Sequence, residues 1–277
     1  MAEVVSFRRD LSKAGEGALV IPQLNDGVLR LTLSNPPANA LSIAVMETLI
    51  GELQSAANDA DVRVIIIAST GSVFCAGHDL KELTAHRANE DGGEAFFEET
   101  FALAADLMLE ITRLSKPVIA EIDGLATAAG CQLVASCDLA ICTDTATFCT
   151  PGVNIGLFCS TPMVAVSRAA HRKQAMEMLL TGETIDASTA KDFGLVNRIV
   201  PKQYLTQVVT KYASVIASKS PLTLKIGKEA FYRQLEMPLE EAYSYAAQVM
   251  VDNMLTADAE EGIGAFLAKR MPQWTGE

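Results

Sequence analysis

The 277-residue chain has no run near the ~18 consecutive apolar residues of a membrane-spanning helix, so the sequence offers no candidate span. It has no Cys-x-x-Cys pair, and its six cysteines, all between Cys75 and Cys159, fit neither a zinc framework nor a disulfide ladder. They read as small buried hydrophobes in a reducing compartment. Positive charge is scarce: 22 basic residues against 34 acidic ones leave a formal charge of −12, which argues against nucleic acid or an anionic membrane as the main partner. A secretory apolar segment is missing from the first twenty residues, and Glu3, Asp10 and Glu16 are wrong for an acid-poor transit peptide, so cytoplasm is the expected compartment. Gly15-Glu-Gly17 is no dinucleotide fingerprint, because no strand precedes it and its spacing is wrong.

Apolar residues make up 49% of the chain, ample for a core of one large domain or a domain and a half. Val28 to Leu33 alternates and puts Leu29, Leu31 and Leu33 on one strand face, whereas Arg63 to Ala68 is a continuous apolar run of the kind covered on both faces. Ser42 is placed to cap a helix carrying Met46, Leu49, Ile50, Leu53 and Ala57. Asp79 and Glu82 have capping-box spacing. A polar loop over 87–93 precedes a long helix with the stripe Phe97, Phe101, Ala104, Met108 and Ile111, and Thr161-Pro162 marks a further helix start. Strand and helix alternate up to about residue 200. Beyond it only helical patterns remain, which divides the chain into a core over 1–200 and a helical assembly region over 201–277.

The stretch Ile122 to Gln132 is the most informative. A short apolar strand opened by Pro117 is broken at Gly124, and from Ala126 to Gly130 nothing larger than a threonine hydroxyl lies beside the backbone. A helix starting at about Ala128 presents unpaired N–H groups and the positive end of its dipole to that bare space, which is how negative charge on a reacting oxygen is stabilised. A pair of tight packing turns is the plainer alternative.

These residues resemble the enoyl-CoA hydratase/isomerase (crotonase) superfamily, from about Asn35 to Pro272. The family's Gly-Gly-Gly-x-Glu turn reads here Ala128-Ala-Gly-Cys-Gln132, and its Ala-Gly-x-Asp reads Ala76-Gly-His-Asp79. One subgroup shares the wording Ala-Gly-Cys-Gln and Thr150-Pro-Gly-Val-Asn-Ile-Gly-Leu157. The resemblance implies an α/β spiral of strand-strand-helix repeats followed by a helical trimerisation region, hence a homotrimer or a dimer of trimers. It implies acyl-CoA as the ligand, with no permanently bound cofactor, no metal, and coenzyme A entering only as part of the substrate. The backbone N–H groups of His78 and Ala129 become the oxyanion donors. Ala40, Ala76, Asp79 and Leu80 would contact CoA, Lys81 and Lys269 its phosphates, and Ala126, Gly130, Pro151 and Leu157 would line the acyl end.

The family's two catalytic glutamates correspond to Gln132 and Gly152, and neither residue can ionise. Proton transfer by a positioned group is worth ~10²–10⁴-fold, so efficient enoyl-CoA hydration is not expected. Two readings stay open. One is an acyl-CoA enzyme that needs only oxyanion stabilisation, with the proton carried by the substrate's own carboxylate, an anion held in the space at Gly152, water or His78. The other is a non-catalytic thioester binder or assembly partner. A serine or cysteine hydrolase is discounted, since no His and Asp accompany a candidate nucleophile in a recognisable pattern.

Overall fold

The computed structural model describes residues 17–277, so the N-terminal acidic residues read above against a transit peptide lie outside it. The described part begins with a hairpin, β1 (Val20–Asn25) and β2 (Val28–Leu33), paired from Val20↔Leu33 to Asn25↔Val28. Asp26 and Gly27 both take positive φ, as a two-residue hairpin turn requires. Helix α1 (Ile43–Asn58) follows, with the Ser42 hydroxyl accepting from the Val45 N–H.

Next comes a unit that recurs. β3 (Val64–Ser69) and β4 (Val73–Cys75) lead to α2 (Leu80–Ala85) and α3 (Glu94–Arg113). β5 (Val118–Ile122) and β6 (Leu125–Thr127) lead to α4 (Ala129–Ser136). β7 (Leu139–Thr143) and β8 (Thr147–Cys149) lead to α5 (Ser160–Ala169) and α6 (Arg172–Thr181). The first strand of each unit joins a six-stranded sheet of order β1-β2-β3-β5-β7-β10, and the second joins a four-stranded sheet of order β4-β6-β8-β9. Within both sheets the repeated strands are parallel. This is the spiral of strand-strand-helix repeats. β9 (Ile185–Asp186), α7 (Ala187–Asp192) and β10 (Arg198–Val200) complete it, and α8 (Leu205–Ala217), α9 (Pro221–Gln234), α10 (Leu239–Met254) and α11 (Ala257–Leu267) follow.

Alternation along the large sheet builds two cores. Leu29, Leu31, Leu33, Ile65 and Ile67 pack towards α1 and α3, while Val28, Val64, Ile66, Ile119 and Ile141 pack under Leu205, Val209 and Ala213 of α8. The helical region is therefore tied into the sheet layer at its start. The Glu121 carboxylate accepts from Arg30 Nη2 at 2.7 Å and from the Thr206 hydroxyl at 2.8 Å, and Lys228 of α9 donates to the Ile111 and Lys116 carbonyls and to Asp138.

Several local readings shift. Helix α5 starts at Ser160 with Cys159 as its cap, two residues before Pro162. Asp79 does cap Lys81 and Glu82, but Glu82 sends its own carboxylate to the Ile43 N–H at 3.2 Å, pinning α2 to the start of α1 instead of closing the box. The stripe of α3 is split: Ala104, Met108 and Ile111 are buried, whereas Phe101 is 39% exposed. No helix of the described residues is long and apolar enough to cross a membrane.

The chain end is strapped down by one buried carboxylate. Asp258, 2% exposed, accepts from the Ser220 hydroxyl at 2.6 Å and from the Thr275 and Gly276 N–H groups. Burial raises its pKa, but the hydrogen bonds from Ser220, Thr275 and Gly276 outweigh that and hold it below the usual value. A depressed folded pKa stabilises the protein fully above the unfolded value of about 4 and loses that contribution as the pH falls through the folded one. Asp258→Asn is expected to cost about 2 kcal/mol at pH 7, and the gap to wild type should close in acid. Chemical denaturation across pH checks both.

Candidate functional site

Two turns meet at the first turn of α4. Leaving β6, the Ala128 N–H donates to the Cys149 carbonyl at 2.9 Å, and the helix starts at Ala129. The other turn, Ala76-Gly77-His78, leaves β4. At Gly77, with φ +81°, an added Cβ would stand 3.0 Å from Ala128 Cβ and 3.1 Å from Ala129 N. At Gly130 an added Cβ would be 2.2 Å from the Cys75 carbonyl oxygen, so only glycine fits. This bare contact brings the His78 and Ala129 segments together. Among the described residues, neither of those two N–H groups donates to a backbone acceptor.

Strain sits on the residue before the donor. Ala129 is an ordinary first helical residue, but Ala128 takes φ 51°, ψ −117°, a region that favours glycine.

A residue that sequence reasoning missed fixes the second turn. Asn39 is buried at φ 50°, and its amide donates to the Thr70 and Val73 carbonyls at 2.8 and 2.7 Å while accepting from the Asn35 N–H at 2.9 Å. Its neighbours then pair with the donor turn, Ala76 N–H to Ala38 O at 3.1 Å and Leu41 N–H to Gly77 O at 2.8 Å. The available signal was an asparagine between a Pro-Pro turn and a helix cap, since asparagine tolerates left-handed backbone.

Among the described residues, polar side-chain atoms of three residues here are buried without hydrogen-bond partners: both ring nitrogens of the half-buried His78, Oε1 of Gln132 and Oγ1 of Thr150. Burial lowers the His78 pKa, so the imidazole is neutral near pH 7. Its ring meets Phe101 edge-on at 5.3 Å. The thiols are inert, because burial raises Cys75 to about 12 and pushes Cys131 and Cys159 upward too. Gly152 has no positive φ, yet an added Cβ would lie 3.0 Å from both the Leu157 carbonyl and Cys159 Sγ, so in that direction the glycine leaves no room for an anion. Among the described residues no group of three His, Cys, Asp or Glu could hold a metal ion.

The pattern of the enoyl-CoA hydratase/isomerase family matches residues 23–277. Enoyl-CoA hydratase domain-containing protein 3, mitochondrial, from Homo sapiens is 47% identical over 253 residues, covering 91% of this chain and 82% of that protein. Its Rattus norvegicus counterpart is 45% identical over 268 residues, covering 96% and 88%. The solved structure of an enoyl-CoA hydratase from Mycobacterium smegmatis superposes with a TM-score of 0.88 at 47% identity, covering 92% of this chain and 98% of that one. The chain belongs to the enoyl-CoA hydratase/isomerase family.

The subgroup whose wording it shares is that of domain-containing protein 3. One expectation is corrected by the same relatives: they are named mitochondrial, which points away from the cytoplasm. A targeting signal is a processed segment that leaves no mark on the folded core, so composition was a poor guide to address.

The remaining family positions fall into groups. Ala40 is half-buried with its carbonyl accepting from Asn35 Nδ2 at 2.9 Å, the Asp79 carboxylate is used as a helix cap, and Leu80 and Lys81 are exposed on the first turn of α2. Ala126 is wholly buried and Gly130 is a contact glycine, so neither presents a side chain to a ligand; Pro151 is half-buried and Leu157 is exposed. Lys269 is exposed just past α11, which packs on α9 and α10, so the structure groups it with the helical region and not with the turns around α4.

Ala128→Gly removes the backbone strain while leaving the turn in place. It should stabilise the protein by about 1 kcal/mol, a rise of about 2 °C in Tm, read by calorimetry.

Proposed function

We propose that the protein is an acyl-CoA enzyme of this family that binds the thioester carbonyl between the His78 and Ala129 N–H groups and does not hydrate enoyl-CoA efficiently. The observation that carries this is the packing of Gly77 onto Ala128 and Ala129, with both N–H groups unspent among the described residues. Donors fixed before the substrate arrives favour an enolate or a tetrahedral oxyanion without reorganisation. CoA would run past Ala40, Ala76, Asp79 and Leu80, its phosphates towards Lys81, and coenzyme A is needed only as part of the substrate.

The proton side of the chemistry is weak. Of His78, Ala129, Gln132 and Gly152, only His78 has an ionisable side chain, and its ring is neutral with both nitrogens shielded from water. A glutamine can orient a water but has no useful proton affinity at neutral pH. The unpartnered Gln132 and the crowded Gly152 equally favour the second reading, a thioester binder without turnover. Titration calorimetry with crotonyl-CoA and free CoA, alongside a hydration assay, tests the proposal. The thioester should bind more tightly than free CoA while kcat stays far below ~10 s⁻¹, and turnover on that order would overturn the proposal. Activity on other acyl-CoA thioesters would separate an enzyme from a binder.

The helices after residue 200 serve assembly in this reading. Leu239 and Tyr243 of α10, Leu255 just past it, and Phe266 and Leu267 of α11 are each more than two-thirds exposed, the kind of apolar surface that association covers. Light scattering at micromolar concentration should give the mass of a trimer or of a dimer of trimers, and a monomer would contradict it.

A further inference from the structure

Beside the two donor turns lies an open groove of about 480 Å³ along the start of α3, lined by Asp91, Gly92, Glu94, Phe97, Glu98 and Phe101. It is joined to the site through Phe101, which lines it and whose ring meets the His78 ring edge-on at 5.3 Å. Phe97, one turn earlier on the same face, continues the apolar floor outward.

The rim has one sign. Three of the six lining residues are carboxylates and none is basic. The Asp91 carboxylate is held in its charged form, chiefly by hydrogen bonds from the Ala95 and Gly93 N–H groups. The opposing charge nearby is Arg87, whose guanidinium lies 5.6 Å from the centre of the Phe97 ring. His86, the other basic residue of this turn, is stacked on Phe96 at 3.6 Å.

We propose, resting on the thioester reading above, that this groove takes the far end of the acyl chain and selects for a neutral, apolar end against one bearing a carboxylate. An acyl carbonyl placed at the His78 N–H points its chain past the imidazole towards Phe101 and Phe97, where methylene groups gain contact and lose water. A terminal carboxylate on a chain of that length arrives among Asp91, Glu94 and Glu98. There it meets like charge and finds no lining side chain that could neutralise it. The selection is electrostatic and solvent-exposed, so salt weakens it.

The test is titration calorimetry of the full chain with free CoA, octanoyl-CoA and suberyl-CoA, two thioesters of equal length that differ in the terminal carboxylate. It is run at low and high salt on wild type and on the double variant Glu94→Gln, Glu98→Gln. Both positions are exposed, so folding should not be affected. Octanoyl-CoA should bind more tightly than suberyl-CoA at low salt. In the variant, and in wild type at high salt, that ratio should fall roughly three- to tenfold, the scale of a few exposed charge interactions, with octanoyl-CoA affinity unchanged in the variant. A ratio that the variant leaves unchanged would overturn the charge selection, as would equal binding of the two thioesters by wild type. If octanoyl-CoA binds no better than free CoA, the thioester reading itself falls and this proposal with it.

Discussion

Everything around the site depends on a contact between two stretches of backbone. The Cys75 carbonyl lies against the Cα of Gly130, and Gly77 lies against Ala128 and the Ala129 nitrogen. No side chain larger than a proton fits between them. Because Cys75 ends β4 and Gly130 lies in the first turn of α4, the contact joins consecutive turns of the spiral at the height where their second strands pair, Cys75 opposite Ala126. Small residues fill the remaining space. The Cys131 thiol donates to the Ala126 and Cys149 carbonyls, and Cys149 lies against Thr127, so the cysteines that resembled no framework act as compact packing with weak hydrogen bonds.

Charge is distributed so that the inside of the site stays neutral. Buried ionisable groups elsewhere are paired: Lys228 with Asp138, Arg30 with Glu121, and Asp258 with the chain end. Lys228 and Glu121, the latter also holding Thr206, bolt α9 and α8 onto the sheet layer, and Asp258 bolts the last residues onto α9 and α11. A buried charge that lost its partner would be costly, so each bolt specifies one docking of helix on core. At the two donor turns the pattern reverses. Of the five described residues with partnerless buried side-chain atoms, three belong to the site, His78, Gln132 and Thr150. Such groups are expensive unless something supplies the missing hydrogen bonds, which is why they mark a place built to meet a polar ligand or ordered water.

The sequence by itself determined the local chemistry. Alternation in Val28 to Leu33 and the apolar run in Arg63 to Ala68 gave the sheet, because a strand's period of two is written in consecutive residues. The bare stretch Ala126 to Gly130 pointed to a helix start with open donors, and Gln132 and Gly152 declared themselves unable to ionise. Which glycine was indispensable, and where strain would fall, needed distances between turns about fifty residues apart. Gly130 is required by a carbonyl 55 residues earlier, and the strain sits on Ala128, not Ala129. The Asn39 clamp was invisible for the same reason, since its partners Thr70 and Val73 are remote in the chain. The repeat was hidden because successive units share a path through two sheets and not their residues. Only the tertiary structure could turn the face of α3 so that its alanine, methionine and isoleucine entered the core while Phe101 stayed open beside His78: helical periodicity places residues on one stripe, and the neighbouring element decides how much of the stripe is covered.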